Sequence, residues 1–249
     1  MKQVQAANFD ALITNGIWSV DYLCELQKLG VPLVSCDKST RGMSIDSVSF
    51  SGAQAGEAAA KLLLRYGHKD ILFVTGMRRD FGAPAGADPV IEDETSAERR
   101  TGVQQGLVGS DADLWPYIPW TAAPGQDGPK LLAARFERII SDMQRLPTAM
   151  VTVDAGIALA VKTMLESMGL GVPHDVSILT FAAPPAKGAP ARFSGMCYDW
   201  HEMAQEAWRL LKERLDGLRP ANAPAVNIEL SATYLDQGTV RNLRSANSI

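Results

Sequence analysis

Among the chain's many polar and aromatic side chains, Asn15, Asp37, Thr95, Arg99, Trp120, Asp154 and Tyr198 stand far apart in sequence. An arginine presents a planar fork of fixed donors that matches two neighbouring hydroxyls or a carboxylate. A tryptophan face packs on the apolar face of a sugar or on a purine ring. Asn, Asp, Thr and Tyr add small donors and acceptors. This is chemistry for gripping a small molecule rather than for breaking bonds. No GxSxG, HExxH or P-loop occurs, and His68, His174 and His201 show no partner pattern, so catalysis is not expected. Cys24, Cys36 and Cys197 are odd in number, widely spaced and without CxxC. They read as buried free thiols of a reducing cytoplasm rather than a disulfide framework or a zinc site. No metal or cofactor is expected.

Each candidate also has a plain structural alternative. Asn15, before Gly16, suits a turn, and Asp37 suits a loop cap. Arg99 lies in the charged run Glu98-Arg99-Arg100 and could face solvent. Trp120 could be a core indole at a strand end, Asp154 a helix cap, and Tyr198 a half-buried aromatic.

The elements that must position these residues follow from apolar periodicity. "DALIT", "VPLVSC", "DSVSF", "ILFVT", "TAMVTV" and "DVSILTF" are strand-length runs. Between them, "VDYLCELQKLG" is helix-like. Ala58, Ala59, Leu62, Leu63 and Tyr66 share one helical face that Gly67 ends. "TSAERRTGVQQGL" reads as a helix capped by Thr95 or Ser96. A further helix covers roughly residues 129–143. Ile157, Val161, Met164, Leu165 and Met168 form the stripe of the next one, which Gly169 closes. Met203, Ala207, Leu210 and Leu211 mark the last helix, before two short strand-like runs near 226–235. Strands separated by helices imply βαβ units and parallel sheets covered on both faces.

In such sheets ligands bind beyond the carboxyl ends of the strands. At the end of "DVSILTF" that rim reads Ala182-Ala183-Pro184-Pro185, without a polar side chain. A sugar hydroxyl left unpaired there would cost about 1–3 kcal/mol. The rim therefore offers no side-chain partner to a polar ligand group, or is covered by the adjacent Pro/Gly loop. The long segment Met77–Glu94 stands at the same end and is either a lid or a surface excursion.

The bulk numbers fit a soluble protein with room for one large core or two smaller ones: 46% hydrophobic, 21% charged and a net charge of −4. No basic cluster gives this chain a nucleic-acid footprint. No apolar run is long enough to cross a bilayer, and the first residues lack the pattern of a secretory signal.

Three stretches together resemble the effector-binding core of the lactose-repressor (LacI/GalR) family of bacterial transcription regulators. They are "DSVSFSGAQAGEAAAKLLLRYGHKDILFVTG" (46–76), "SAERRTGVQQGL" (96–107) and "PTAMVTVDAGIALAVKTMLESMGLGVPHDVSILTF" (147–181); "YDWHEMAQEAWRLLKERLDG" (198–217) matches the closing helix. The resemblance implies an α/β fold of two Rossmann-like subdomains with parallel sheets around a ligand cleft, like a periplasmic binding protein. It divides the chain into an N-terminal subdomain of residues 1–76 plus 198–225 and a C-terminal one of residues 77–197 plus 226–249. Crossings are expected near Gly76, near Cys197 and around residues 222–226.

The resemblance also implies roles. Arg99, three residues before Gly102, reaches the ligand, with Thr95 one turn earlier on the same face. Asn15, Asp37, Trp120, Asp154, Ala182 and Tyr198 occupy ligand-facing positions. Two departures stand out: Asp154-Ala155 where relatives read Asn-Asp, and Ala182-Ala183 where they carry acidic residues. The implied function is effector sensing in a LacI-type regulator, for a sugar, sugar acid or nucleoside-like molecule, in a cytoplasmic homodimer. DNA would be bound only through an N-terminal helix-turn-helix absent from this sequence. That absence and an incomplete first sheet point to a fragment or a misplaced start rather than to a truncated natural regulator. The alternative is the substrate-binding protein of an ABC-type sugar importer, which shares the fold.

Overall fold

The computed structural model describes residues 9–17, 19–79, 90–121, 127–182, 193–220 and 222–244. In chain order, the first half holds β1 (Leu12–Asn15), α1 (Val20–Gln27), β2 (Leu33–Cys36), β3 (Asp46–Phe50), α2 (Gly52–Arg65), β4 (Asp70–Arg79), β5 (Val90–Glu92), α3 (Glu94–Leu107), β6 (Asp113–Leu114) and β7 (Ile118–Trp120). The second half holds α4 (Gly128–Met143), β8 (Ala149–Thr152), α5 (Ala155–Ser167), β9 (Ser177–Ala182), β10 (Gly195–Cys197), α6 (Trp200–Leu215), β11 (Asn227–Leu230) and β12 (Thr233–Leu235). None of the helices among the described residues is long and apolar enough to cross a membrane.

The chain forms two units, Met1–Ser51 with Asp199–Ser231, and Gly52–Tyr198 with Ala232–Ile249. The first crossing therefore lies at Ser51–Gly52 and not near Gly76. Helix α2 and strand β4 belong with the second unit, because β4 pairs with β8 and α2 lies along α3. The last crossing falls after Ser231, since β11 pairs with β3 of the first unit and β12 with β10 of the second.

In the first unit, β1, β2, β3 and β11 form a parallel sheet in that order. One face, with Val34, Cys36, Val48 and Leu230, buries Met203, Ala207, Leu210 and Leu211 of α6. Their 3–4-residue spacing makes the apolar stripe that a sheet-covering helix needs. Burial pushes the Cys36 thiol up to about 11, so it stays protonated at neutral pH. The other face carries Leu33, which packs with Leu23, Leu26 and Ile45. Asp199 caps α6 by accepting the N–H groups of His201 and Glu202.

At the amino end of β3, the fully buried Asp46 carboxylate is clasped by two arginines. Arg214 donates Nε to Oδ2 at 2.5 Å and Nη2 to Oδ1 at 3.1 Å, Arg219 lies at 3.3 and 3.4 Å, and the Val226 N–H donates at 2.7 Å. The remaining guanidinium N–H groups reach the carbonyls of Pro220, Ala223 and Pro224. The cluster thus ties the end of α6 and the turn after it to the sheet.

In the second unit, β4 is the hub. β8, β9 and β10 follow it in parallel, and β12 closes the far side antiparallel. β6 and β7 pair with β4 in parallel, and β5 pairs with it antiparallel. Ile71, Leu72, Phe73 and Val74 are all fully buried. A parallel strand covered on both faces has no polar position to offer.

Helices α2 and α3 meet through glycines. A Cβ at Gly102 would collide with the Ala53 carbonyl oxygen, and one at Gly56 with that of Arg99. Bare Cα atoms let the two backbones touch and set the height of α3 against the sheet. Helix α2 ends at Gly67 with φ +87°, where the His68 N–H returns to the Leu63 carbonyl. His68 is buried, its Nε2 lies 2.9 Å from the Arg241 carbonyl oxygen, and burial holds its pKa below the ordinary value.

Candidate functional site

The carboxyl end of β4 and the amino ends of α3 and α5 converge on a pocket of about 250 Å³. It is lined by Gly76, Met77, Asp93, Thr95, Ser96, Arg99, Trp120, Val153, Asp154 and Ile157. Four residues singled out in the sequence, Thr95, Arg99, Trp120 and Asp154, are therefore brought together.

The cap of α3 is Asp93, not Thr95 or Ser96. Asp93 Oδ1 accepts the N–H groups of Thr95 and Ser96 at 3.0 and 3.3 Å, and the Thr95 hydroxyl. The run Asp-Glu-Thr-Ser offers three side chains able to cap, and the extended backbone of Asp93 selects the first. Ser96 then accepts the Gly76 N–H at 3.2 Å, and the Gly76 carbonyl accepts the Asp93 N–H at 3.1 Å. A Cβ at Gly76 would stand 2.8 Å from the Ser96 oxygen, so this seam requires glycine.

Arg99, a helical turn beyond Thr95, donates Nη1 to the Val153 carbonyl at 2.9 Å and Nε to the Tyr198 hydroxyl at 3.2 Å. Its guanidinium lies 5.2 Å from the ring centres of both Phe181 and Tyr198. No ion pair is formed by Arg99 among the described residues. Two rings and two oxygens fix its plane, and among the described residues no carboxylate pairs with its charge. Tyr198 is buried and orients the arginine. Ala182 is the last residue of β9, opposite Cys197 of β10. Ala183 and the Pro/Gly loop after it lie outside the described residues, as do residues 80–89 of the expected lid.

Asp154 lies two residues beyond β8 and caps α5 through its Oδ1, which accepts the Ile157 N–H at 2.8 Å. The cap and the pocket position coexist, since the residue remains exposed. Trp120 ends β7 opposite Gly76 in register. Asn15 and Asp37 lie at the carboxyl ends of β1 and β2, adjacent strands of the first unit. Asn15 is in register with Cys36, and Asp37 has φ +69° with its N–H on the Val48 carbonyl.

The neighbouring Arg100 turns the other way. It grips Glu92 with Nε and Nη2 at 2.9 and 2.8 Å, while Thr75 donates its hydroxyl to the same carboxylate at 2.6 Å. The Arg100 hydrogen bonds hold Glu92 below the usual carboxylate range against its partial burial. This lock between β4, β5 and α3 had no sequence signal beyond a Glu eight residues before an Arg. Gly76, Met77, Ser96, Val153 and Ile157 were likewise not singled out. Among the described residues no group of three or more His, Cys, Asp or Glu could hold a metal ion.

Residues 59–235 match the family model of the periplasmic binding protein-like domain. The chain is 27% identical over 152 residues to the HTH-type transcriptional repressor PurR of Edwardsiella ictaluri, a match covering 61% of this chain and 40% of the repressor. It thus spans well under two thirds of the length of that relative. Among solved structures, a sugar-binding LacI-family regulator from Escherichia coli, complexed with phosphate, superposes with a TM-score of 0.68. Its sequence identity is 21%, and the match covers 94% of this chain and 77% of that one. A LacI-family regulator from Enterococcus faecium with bound ribose gives a TM-score of 0.69 at 18% identity, covering 97% and 82%. The parallel sheets, the pocket at the carboxyl end of β4 in the second unit and the matched family model lead to one statement: the chain belongs to the periplasmic binding protein-like domain family.

Proposed function

We propose that this chain is the effector-sensing domain of a LacI-type bacterial transcription regulator. The observation that carries the reading is the convergence of a donor fork (Arg99), a carboxylate (Asp154), a hydroxyl (Thr95) and an indole (Trp120) on one pocket. That set suits a ring-bearing polyhydroxyl ligand: a sugar, a sugar acid or a nucleoside-like molecule. The phosphate and ribose held by two solved neighbours support this class.

Arg99, already held by the Val153 carbonyl, the Tyr198 hydroxyl and two neighbouring rings, donates to ligand oxygens at little further loss of side-chain freedom. Asp154 accepts from hydroxyls, and Trp120 covers a ring face. Asn15, Asp37, Ala182 and Tyr198 complete the proposed set of contacts. Ala182, bearing no carboxylate, meets the less polar or the anionic part of the ligand. Ligand acts by binding one state of the regulator better than another. The domain is a non-catalytic, cytoplasmic homodimer, and DNA is bound by a helix-turn-helix segment rather than by this acidic domain.

The test is a thermal-shift screen with D-ribose, D-cellobiose, D-gluconate and adenosine, followed by calorimetry on wild type and Arg99→Ala. The variant should keep its circular dichroism and lose about tenfold or more in affinity, as expected for charged hydrogen bonds. Unchanged affinity removes Arg99 from the site. Absence of binding to all four compounds overturns the ligand class.

A further inference from the structure

Trp120 owes its place to a residue outside the lining of that pocket. Gly128, the buried first residue of α4, carries the edge of the indole on its bare Cα. A Cβ there would overlap Cη2 of Trp120 and stand 3.0 Å from Cζ2 and Cζ3. The backbone on both sides is tied down. Asp127 caps α4 by accepting the Lys130 N–H at 3.2 Å, and its carbonyl accepts the Leu131 N–H at 3.1 Å. Arg135, two turns along the same helix, holds the end of β7 by the Pro119 carbonyl and the Thr121 hydroxyl. β7 itself is in register with β4 at Gly76, another pocket residue. Helix and strand are thus tied together by Arg135, and all three atoms nearest to an added Cβ belong to the indole.

We infer that Gly128 sets the position of the Trp120 ring, and through it the width of the pocket, making Gly128 the positioning residue for ligand selectivity. The inference rests on the reading of this pocket as the effector site. With any side chain at position 128 the ring must retreat by about 1 Å to regain ordinary contact. Gly128 backs the ring from outside the lining, and the open side is the pocket shared with Arg99 and Asp154. The ring therefore moves toward the ligand. A puckered sugar ring, thicker than a flat base, loses most from a narrower slot.

The experiment uses the full 249-residue chain labelled with 5-fluorotryptophan. The Trp120 fluorine signal is assigned by its loss in Trp120→Phe. In Gly128→Ala that signal should move by several linewidths while the other four tryptophan signals stay. A second measurement guards against a variant that folds poorly. The drop in melting temperature caused by Gly128→Ala should largely vanish in a Trp120→Leu background, because the overlapping ring is gone.

An unmoved Trp120 signal, or an equal drop in both backgrounds, overturns the seat. Calorimetry with D-ribose, D-cellobiose and adenosine then tests selectivity. Gly128→Ala should weaken the two sugars at least tenfold more than adenosine. Equal effects on all three overturn the selectivity. Failure of wild type to bind any of the three overturns the selectivity, and failure with D-gluconate as well overturns the ligand reading, while the fluorine signal still judges the seat.

Discussion

Replacing Asp46 by Asn tests whether the buried ion cluster holds the first unit together. The carboxylate is fully buried, and the side chains of Arg214 and Arg219 are only 11% and 16% exposed. Asparagine keeps the shape and can still accept the Val226 N–H, but it leaves two largely buried guanidinium charges facing a neutral group. Breaking a buried pair by removing one partner costs about 3–5 kcal/mol. The carbonyls of Pro220, Ala223 and Pro224 still hold the arginines, which places the loss near the lower end, about 3 kcal/mol. With a urea slope of about 2 kcal/mol/M, the midpoint should fall by about 1.5 M.

The assay is urea unfolding by tryptophan fluorescence, with hydrogen exchange reporting the two units separately. Protection should drop in 199–220 and 222–231 and persist in 52–79 and 149–182. Acid adds a second signature. Burial alone would raise the Asp46 pKa, but the Arg214 hydrogen bond, the Val226 N–H and the two arginine charges outweigh it and hold it below the ordinary value. Its stabilisation is therefore fully present above the unfolded carboxylate pKa of about 3.9 and is lost as pH falls through the lower folded value. The Asn variant should show a flatter acid limb. A midpoint within about 0.3 M of wild type, with an unchanged acid limb, would refute the cluster as a clamp.

Two further substitutions probe the frame of the pocket. Gly56→Ala should destabilise by about 1–3 kcal/mol or more and weaken whatever ligand wild type binds, because its Cβ would strike the Arg99 carbonyl and stand 2.8 Å from the Val103 backbone nitrogen of α3. Gly171→Ala, which meets only side-chain atoms at 3.4 and 3.6 Å, is the control, and equal melting temperatures for the two variants would count against the seam. Glu92→Gln should cost about 2 kcal/mol by removing the charge gripped by Arg100, and it should reduce the acid sensitivity of the second unit, since the lowered Glu92 pKa stabilises above the unfolded value and fails as pH drops. A melting curve superimposable on wild type from pH 3 to 7 would dismiss the lock.

Much of the architecture is written locally. The 3–4-residue spacing of Met203, Ala207, Leu210 and Leu211 makes α6 amphipathic wherever it packs, and the unbroken "ILFVT" makes a strand that must be covered on both faces. Arg99 and Arg100 illustrate where local reading stops. Adjacent helical residues point about 100° apart, and the fork chemistry of both is the same. Only the arrival of Phe181, Tyr198 and Val153 on one side, and Glu92 on the other, separates the pocket arginine from the structural one.

The cap of α3 shows the same limit at short range, since three side chains of Asp-Glu-Thr-Ser are able to cap and backbone geometry chose Asp93. The first crossing shows it at long range. Nothing in "ILFVT" says which sheet it joins, so the expected boundary at Gly76 gave way to Ser51–Gly52 once β4 paired with β8. Sequence by itself determined the helices and the longer strands, because their periods depend on neighbours two to four residues away, whereas the short β5, β6, β7 and β10 took form only by pairing. Tertiary structure decided the unit boundary, the seat of Trp120 on Gly128 and the two arginine roles, because each depends on backbone approaches between segments that the sequence keeps apart.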